Sequence, residues 1–164
     1  PGSVVADVGS GDGDWAVVLA EHVGDQGHVW ATEVEQDDVE DLEARAQRAS
    51  LDNVSVVLGD QTGTGLPANC CDAILLRMVY HHFTNPAAMR ASLRRAIRPG
   101  GLIAVIDITP QSSWRDLADV PDRGGHGIAH GDLVREMTSE GFQVVLREDN
   151  WNGDDDRYCV VFRR

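Results

Sequence analysis

The chain alternates short apolar runs with longer amphipathic stretches. Val4–Val8 is β-branched and strand-sized, and Asp14 to Val23 places Trp15, Val18, Leu19 and Val23 on one predicted helical face. A second strand is expected over Val29–Val34. The helix after it has a stripe of Val39, Leu42, Ala46 and Ala49, with Asp37, Asp38, Glu40, Asp41 and Glu43 facing out. Val54–Leu58 and Asp72–Arg77 read as strands three and four, the latter nearly continuous in apolar residues as a central parallel strand should be. Asn85 and Pro86 supply a helix start, and Met89, Leu93, Ala96 and Ile97 an inner face. Arg98-Pro99-Gly100-Gly101 predicts a sharp reversal into a fifth strand, Leu102–Asp107. Thr109 to Gly131 lacks periodicity, carries Trp114, Arg115, His126 and His130, and has the length of a lid or binding segment. A last helix over Asp132–Glu140 precedes two strands, Phe142–Arg147 and Tyr158–Phe162, expected to form an antiparallel hairpin. This succession is that of an α/β protein with helices on a mostly parallel sheet.

The junction after the first strand is the most informative stretch. Asp7-Val8-Gly9-Ser10-Gly11-Asp12-Gly13 sets glycine at every second place between a strand and a helix. Such a turn lets a ligand approach the backbone closely, and the N–H groups of the following helix start add donors. A dinucleotide fingerprint would need its third glycine at position 14, where Asp14 stands. Here the third glycine is Gly13, and an acid precedes the first by two places.

Other strand ends at the same edge carry chemistry. An acid at the end of strand two can accept both hydroxyls of a ribose. Glu33 is the first choice and Glu35 its rival, since both face the same way by strand alternation. Asp60, after strand three, can accept from an exocyclic adenine amine, or simply form a Gly-Asp turn. Val79-Tyr80-His81-His82-Phe83 follows strand four, and Asp107 ends strand five. His81 and His82 are candidate bases because an unperturbed imidazole titrates near neutrality; packing is the competing role. Tyr80, His126 and His130 are weaker candidates. A metal site of His81, His82 and His126 is poorly supported by spacing, so no metal is expected.

Composition narrows the partners. Of 164 residues, 27 are acidic and 14 basic, every base an arginine, for a formal net charge of −13. Such a surface repels phosphate backbones and argues against nucleic acid. No apolar run spans a membrane. Cys70, Cys71 and Cys159 lack zinc or framework spacing, so three free thiols in a reducing cytoplasm are expected.

The D-x-G-x-G-x-G loop at Asp7–Gly13 resembles motif I of the class I S-adenosylmethionine-dependent methyltransferases. The acid after strand two, Gly59-Asp60, the Asp72 strand, Pro99-Gly100-Gly101 and the closing hairpin follow in that family's order. The His-His after strand four resembles a small-molecule or uncharacterised subgroup. The resemblance implies a Rossmann-like three-layer sandwich, with a seven-stranded mixed sheet of order 3-2-1-4-5-7-6 and strand seven antiparallel. It implies S-adenosylmethionine as cofactor, S-adenosylhomocysteine as product and a small-molecule acceptor.

By position, the resemblance places Asp7, Gly9, Ser10, Gly11 and Gly13 at the methionine end and Glu33 on the ribose, with Val34 beside it. Asp60 and Gln61 fall around the adenine, and Arg77 and Met78 border the methionine portion and the methyl group. Residues 1–164 are expected to form one methyltransferase domain without the helices that usually precede motif I. The N/D-P-P-Y motif of many amino-group methyltransferases is replaced by Arg77-Met78-Val79-Tyr80. Two other readings are a non-catalytic domain that binds S-adenosylmethionine and an NAD-dependent oxidoreductase, the latter disfavoured by Asp14.

Overall fold

The computed structural model describes residues 1–112 and 118–164; Trp114 and Arg115 lie outside the described residues. The elements are β1 (Val4–Val8), α1 (Asp14–Val23), β2 (His28–Glu33), α2 (Gln36–Arg48), β3 (Val54–Leu58), β4 (Cys71–Arg77), α3 (Pro86–Ala96), β5 (Ile97–Ile108), α4 (His130–Ser139), β6 (Gln143–Asp149) and β7 (Arg157–Arg163). They form a seven-stranded sheet of order β3-β2-β1-β4-β5-β7-β6. β1 to β5 pair in parallel, and β7 is antiparallel to both β5 and β6. This is the expected fold class and strand order.

Alternation along each central strand sorts its side chains between two faces. Ala6, Val8, Ile74, Leu76, Ile103 and Val105 pack with Leu93 of α3 and with Leu133 and Met137 of α4. Val5, Val29 and Ala31 face the other way, against Ala16 and Ala20 of α1 and Leu42 of α2. Asn85 caps α3 by accepting from the Ala88 N–H at 3.2 Å, with Pro86 in the first turn. At the opposite edge from the glycine loop, Asp72 accepts from the Val4 N–H at 2.8 Å and pairs with Arg98. That contact holds the start of β1 beside β4.

Several details differ from the sequence expectations. On α1 the buried positions are Ala16, Ala20 and Val23, while Val18 is 39% exposed. Small residues let the helix lie close to the sheet, and the bulkier Trp15 and Leu19 pack against Leu75, Ile106 and Cys159 instead. Ala49 is exposed at the end of α2. Arg98–Gly101 is a reversal held within β5: Cys71 pairs with Ile97, then the register jumps so that Ala73 pairs with Leu102. The last helix starts at His130, two residues early.

Cys70 and Cys71 are paired as a vicinal disulfide, where free thiols were expected. Being neighbours, they lie within reach of each other without any framework spacing. Cys159 is free and buried in β7, and burial pushes its thiol up to about 11.

Leu93 is completely buried, so Leu93→Ala should cost about 2–5 kcal/mol. Val18→Ala should change stability by no more than about 0.5 kcal/mol. Urea midpoints of the two variants check the assigned inner face of α3 and the outward position of Val18 on α1, which the opposite ranking would overturn.

Candidate active site

Parallel strands bring their carboxyl ends to one edge, and the candidate residues gather there because β1, β2, β3, β4 and β5 all end on it. Gly9 and Ser10 N–H groups both donate to the Thr32 carbonyl, at 3.0 and 3.1 Å, which ties the glycine loop to β2. Gly9 has φ +71°, and a Cβ there would stand 2.4 Å from the Val79 side chain. The loop therefore needs glycine both for its turn and for the close passage of the segment after β4. Gly13 is buried against Leu42 and Arg45. Asp14, where a dinucleotide site would have glycine, pairs with Arg45 of α2.

Asp7 is the most perturbed group at this edge. It is 2% exposed, and Oδ2 is buried with no hydrogen-bond partner among the described residues. Burial raises its carboxyl from 3.8 to about 6; the Ser10 hydrogen bond opposes this, Glu33 adds to it, and Arg77 opposes it in turn. A ligand cation beside Oδ2 would supply the missing partner. Glu33 Oε1 accepts from the Gly11 N–H at 2.6 Å, so the acid at the end of β2 reaches across to the glycine loop.

A cavity of about 240 Å³ opens beside these groups, lined by Gly9, Thr32, Glu33, Val34, Asp60, Gln61 and His82, among others. Val34 is 47% exposed, an apolar surface in a place suited to a flat ring. Asp60 Oδ1 accepts from both the N–H and the hydroxyl of Thr62 at 2.6 Å, which lowers its pKa. Its turn-forming role is thus present, and it also lines the cavity. Gln61 accepts from the Thr84 hydroxyl at 3.1 Å. Thr32, Thr64, Val79, Phe83 and Met89 also line this space. Val79 and Phe83 belong to the stretch after β4 and Met89 to the inner face of α3, whereas no periodicity or motif marks Thr32 and Thr64 as lining a site.

Arg77 and Met78 sit at the rim rather than in the cavity lining. The Arg77 guanidinium lies over the Trp15 ring, 5.7 Å from its centre. Met78 has φ +56°, uncommon for a residue with a side chain and a form of strain that collects at functional turns.

The histidines form a second cluster. Tyr80–His82 is a short 3-10 turn that buries His81, at 1% exposure, against the end of β5. His81 Nδ1 stands 2.5 Å from Asp107 Oδ1, and its backbone N–H donates to Oδ2 at 3.3 Å. With Nδ1–H donating, Nε2 is left as an acceptor. His126 Nε2 lies 3.0 Å from that atom. His82 borders the first cavity, and partial burial lowers its pKa to about 4, helped by His81 and His126. A second cavity of about 290 Å³ is lined by His81, Pro121, Arg123, His126 and Gly127, among others. His126, weakly supported in sequence, thus belongs to the cluster.

Tyr80 and His130 do not join this cluster. The Tyr80 hydroxyl donates to Glu136 at 2.9 Å, and burial pushes its pKa up. His130 pairs with Asp149 at 3.0 Å and stacks on Tyr158. Glu35 is exposed and stands at the start of α2.

Residues 5–101 match the methyltransferase domain family. A demethylmenaquinone methyltransferase of Listeria welshimeri is 26% identical over 118 residues, which cover 71% of this chain and 50% of the relative. A ubiquinone/menaquinone biosynthesis C-methyltransferase of Cupriavidus metallidurans is 31% identical over 121 residues, 71% of this chain and 47% of the relative. The chain spans about half the length of these curated relatives. A SAM-dependent methyltransferase structure from Aquifex aeolicus superposes with a TM-score of 0.80 at 23% identity, covering 99% of this chain and 82% of that one. The chain belongs to the S-adenosylmethionine-dependent methyltransferase family. S-adenosylmethionine is the cofactor that membership implies, and the residues present fit a cationic ligand: a buried carboxyl oxygen with no partner among the described residues ends β1 beside the glycine loop.

The raised pKa of Asp7 has a measurable consequence. Between 3.8 and about 6 the folded protein retains a proton that the unfolded chain has released. The Asp7 contribution to stability therefore falls as pH rises through that window and levels off above it, by up to about 3 kcal/mol. His82, with its lowered pKa, slopes the other way over a similar range. Denaturation across pH should show the difference between wild type and Asp7→Asn changing between pH 4 and 6, with the variant gaining relative stability as pH rises. A constant difference would remove the buried, unpaired carboxyl from the account.

Proposed function

We propose that the chain transfers the sulfonium methyl of S-adenosylmethionine to a small-molecule acceptor. The observation that carries this reading is the unpartnered Asp7 Oδ2 beneath a glycine loop whose neighbouring cavity runs from Glu33 and Val34 to Asp60. In this reading Asp7 faces the cofactor's ammonium, and Gly9, Ser10, Gly11 and Gly13 follow its methionine end. Glu33 binds the ribose hydroxyls, Val34 lies against the adenine, and Asp60 and Gln61 meet its amine edge. Arg77 and Met78 border the reacting end, the strained Met78 turning the chain toward the histidines.

Methyl transfer is an in-line displacement: an acceptor lone pair forms the new bond to carbon while the C–S pair stays on sulfur, giving S-adenosylhomocysteine. The protein's task is to hold nucleophile and methyl in line at near-attack distance. His81 and His82 are the groups proposed to act on the acceptor, taking its proton where one must leave. Asp107 fixes the His81 ring so that Nε2 is the accepting nitrogen. The curated relatives carry names from quinone biosynthesis, which supports a flat, hydroxylated ring among the acceptors to be tried first.

Two experiments test the assignment. Glu33→Ala should weaken S-adenosylhomocysteine binding by about 1–3 kcal/mol in calorimetry if the ribose bond is buried; unchanged affinity would remove Glu33 from the site. His82→Ala should bind S-adenosylhomocysteine normally yet lose most methyl transfer to an accepted substrate. If affinity and turnover fell together with thermal stability, packing would be the role of His82.

A further inference from the structure

We propose that His81, His82 and His126 bind a divalent transition-metal ion of the zinc class, beside the cavity that Arg123 also lines. The ligand atoms of these three side chains lie within 4.8 Å of one another, although one comes from a loop 44 residues beyond the other two. Metal–nitrogen bonds of about 2.1 Å place two ligands about 3–3.4 Å apart at octahedral or tetrahedral angles. The 3.0 Å between His81 Nε2 and His126 Nε2 already fits, and the third ligand atom, from His82, lies within 4.8 Å of both.

Proton accounting favours the ion. His81 Nδ1–H donates to Asp107, so its Nε2 offers a lone pair toward His126. His82, on the solvent side, brings a nitrogen to within 4.8 Å of the other two ligand atoms. A cation at the centre would take a lone pair from each ring. Asp107 then completes a carboxyl–histidine–metal arrangement, the usual means of fixing a ligating imidazole. Imidazole sets without thiolate suit zinc and its neighbours, and three protein ligands leave positions for a small molecule.

The loop places His126 firmly. Its backbone pairs in both directions with Gln111, at 2.9 and 3.3 Å. A Cβ on the adjacent Gly127, which has φ +131°, would stand 2.7 Å from the Thr109 carbonyl oxygen and 2.8 Å from that of Ile108. The loop is thus pressed against the end of β5, immediately beyond Asp107.

The ion explains the acceptor side of the site. Arg123 is 6% exposed, pairs with Glu136 at 2.9 Å through Nη2, and keeps a buried Nη1 with no partner among the described residues. A molecule in this cavity meets the metal on one side and that guanidinium on another, and both select an oxyanion such as an enolate or phenolate. This last step rests on the methyl-transfer reading; metal binding itself does not. With the ion bound, His81 and His82 would act on the acceptor through it: the ion would lower the pKa of a bound hydroxyl, whose proton then leaves to water.

The test uses the chain without a polyhistidine tag, stripped with a chelator and titrated with cobalt(II). One equivalent should bind with ligand-field absorption that zinc(II) displaces. His126→Ala and His82→Ala should each abolish the bands while leaving thermal unfolding of the stripped protein unchanged. Asp107→Asn should weaken cobalt affinity about 10–100-fold. Absence of the bands in wild type, or bands that persist in both histidine variants, would overturn the proposal. Calorimetry with S-adenosylhomocysteine on the same samples separates the two readings: metal binding without adenosyl binding would sink the proposed function and leave the metal site standing, and the converse result would do the opposite.

Discussion

The parallel register between β1 and its two neighbours is the constraint on which the site depends. Asp7 lies opposite Ala31 on one side and Leu75 on the other, so Glu33 and Arg77 each emerge two residues further along the same edge. A slip by one residue would turn each of them to the other face. The alternating cores on both faces of the sheet, with Ala6 and Val8 on one and Val5 on the other, make such a slip costly. Packing in the middle of the sheet therefore sets the positions of charges at its rim.

The two buried carboxyls that result differ in the partners they have. Asp7 is desolvated and its Oδ2 has no hydrogen-bond partner among the described residues, so its carboxyl is destabilised in the ionised form. Asp107 is at least as deeply buried but receives the His81 ring and backbone N–H groups of His81 and Ile108. One carboxyl is left ready for an external cation, and the other organises a side chain of its own fold. Their different surroundings assign them different work, although both end central strands.

Much of this was legible in the chain itself. The glycine loop, the acid after β2 and the Asp60 turn each depend on local chemistry or short-range periodicity and stand at the expected sheet edge, and the strand order is the one the family resemblance implies. On α1, Trp15, Leu19 and Val23 pack inward as expected but Val18 does not, and Ala16 and Ala20 are buried in a way that hydrophobicity alone does not rank. The meeting of His81 with His126 was also hidden. It depends on a loop docking to the end of β5, through Gln111 and Gly127, and no spacing rule connects residues that far apart. Arg123 was invisible for a similar reason: its pairing with Glu136 joins the loop to α4.

The unsatisfied oxygen of Asp7 also bears on how such a protein releases what it makes. In the proposed reading, the ammonium that would meet it is present in S-adenosylmethionine and in S-adenosylhomocysteine alike, so such a contact would hold both with similar strength. An interaction made equally with reactant, transition state and product tightens binding without speeding the chemical step. The gain from neutralising a buried charge must be returned each time the spent cofactor departs. Turnover in this fold would then be governed by escape from the site as much as by reaction within it, and accumulated product would act as a competitor of the fresh cofactor.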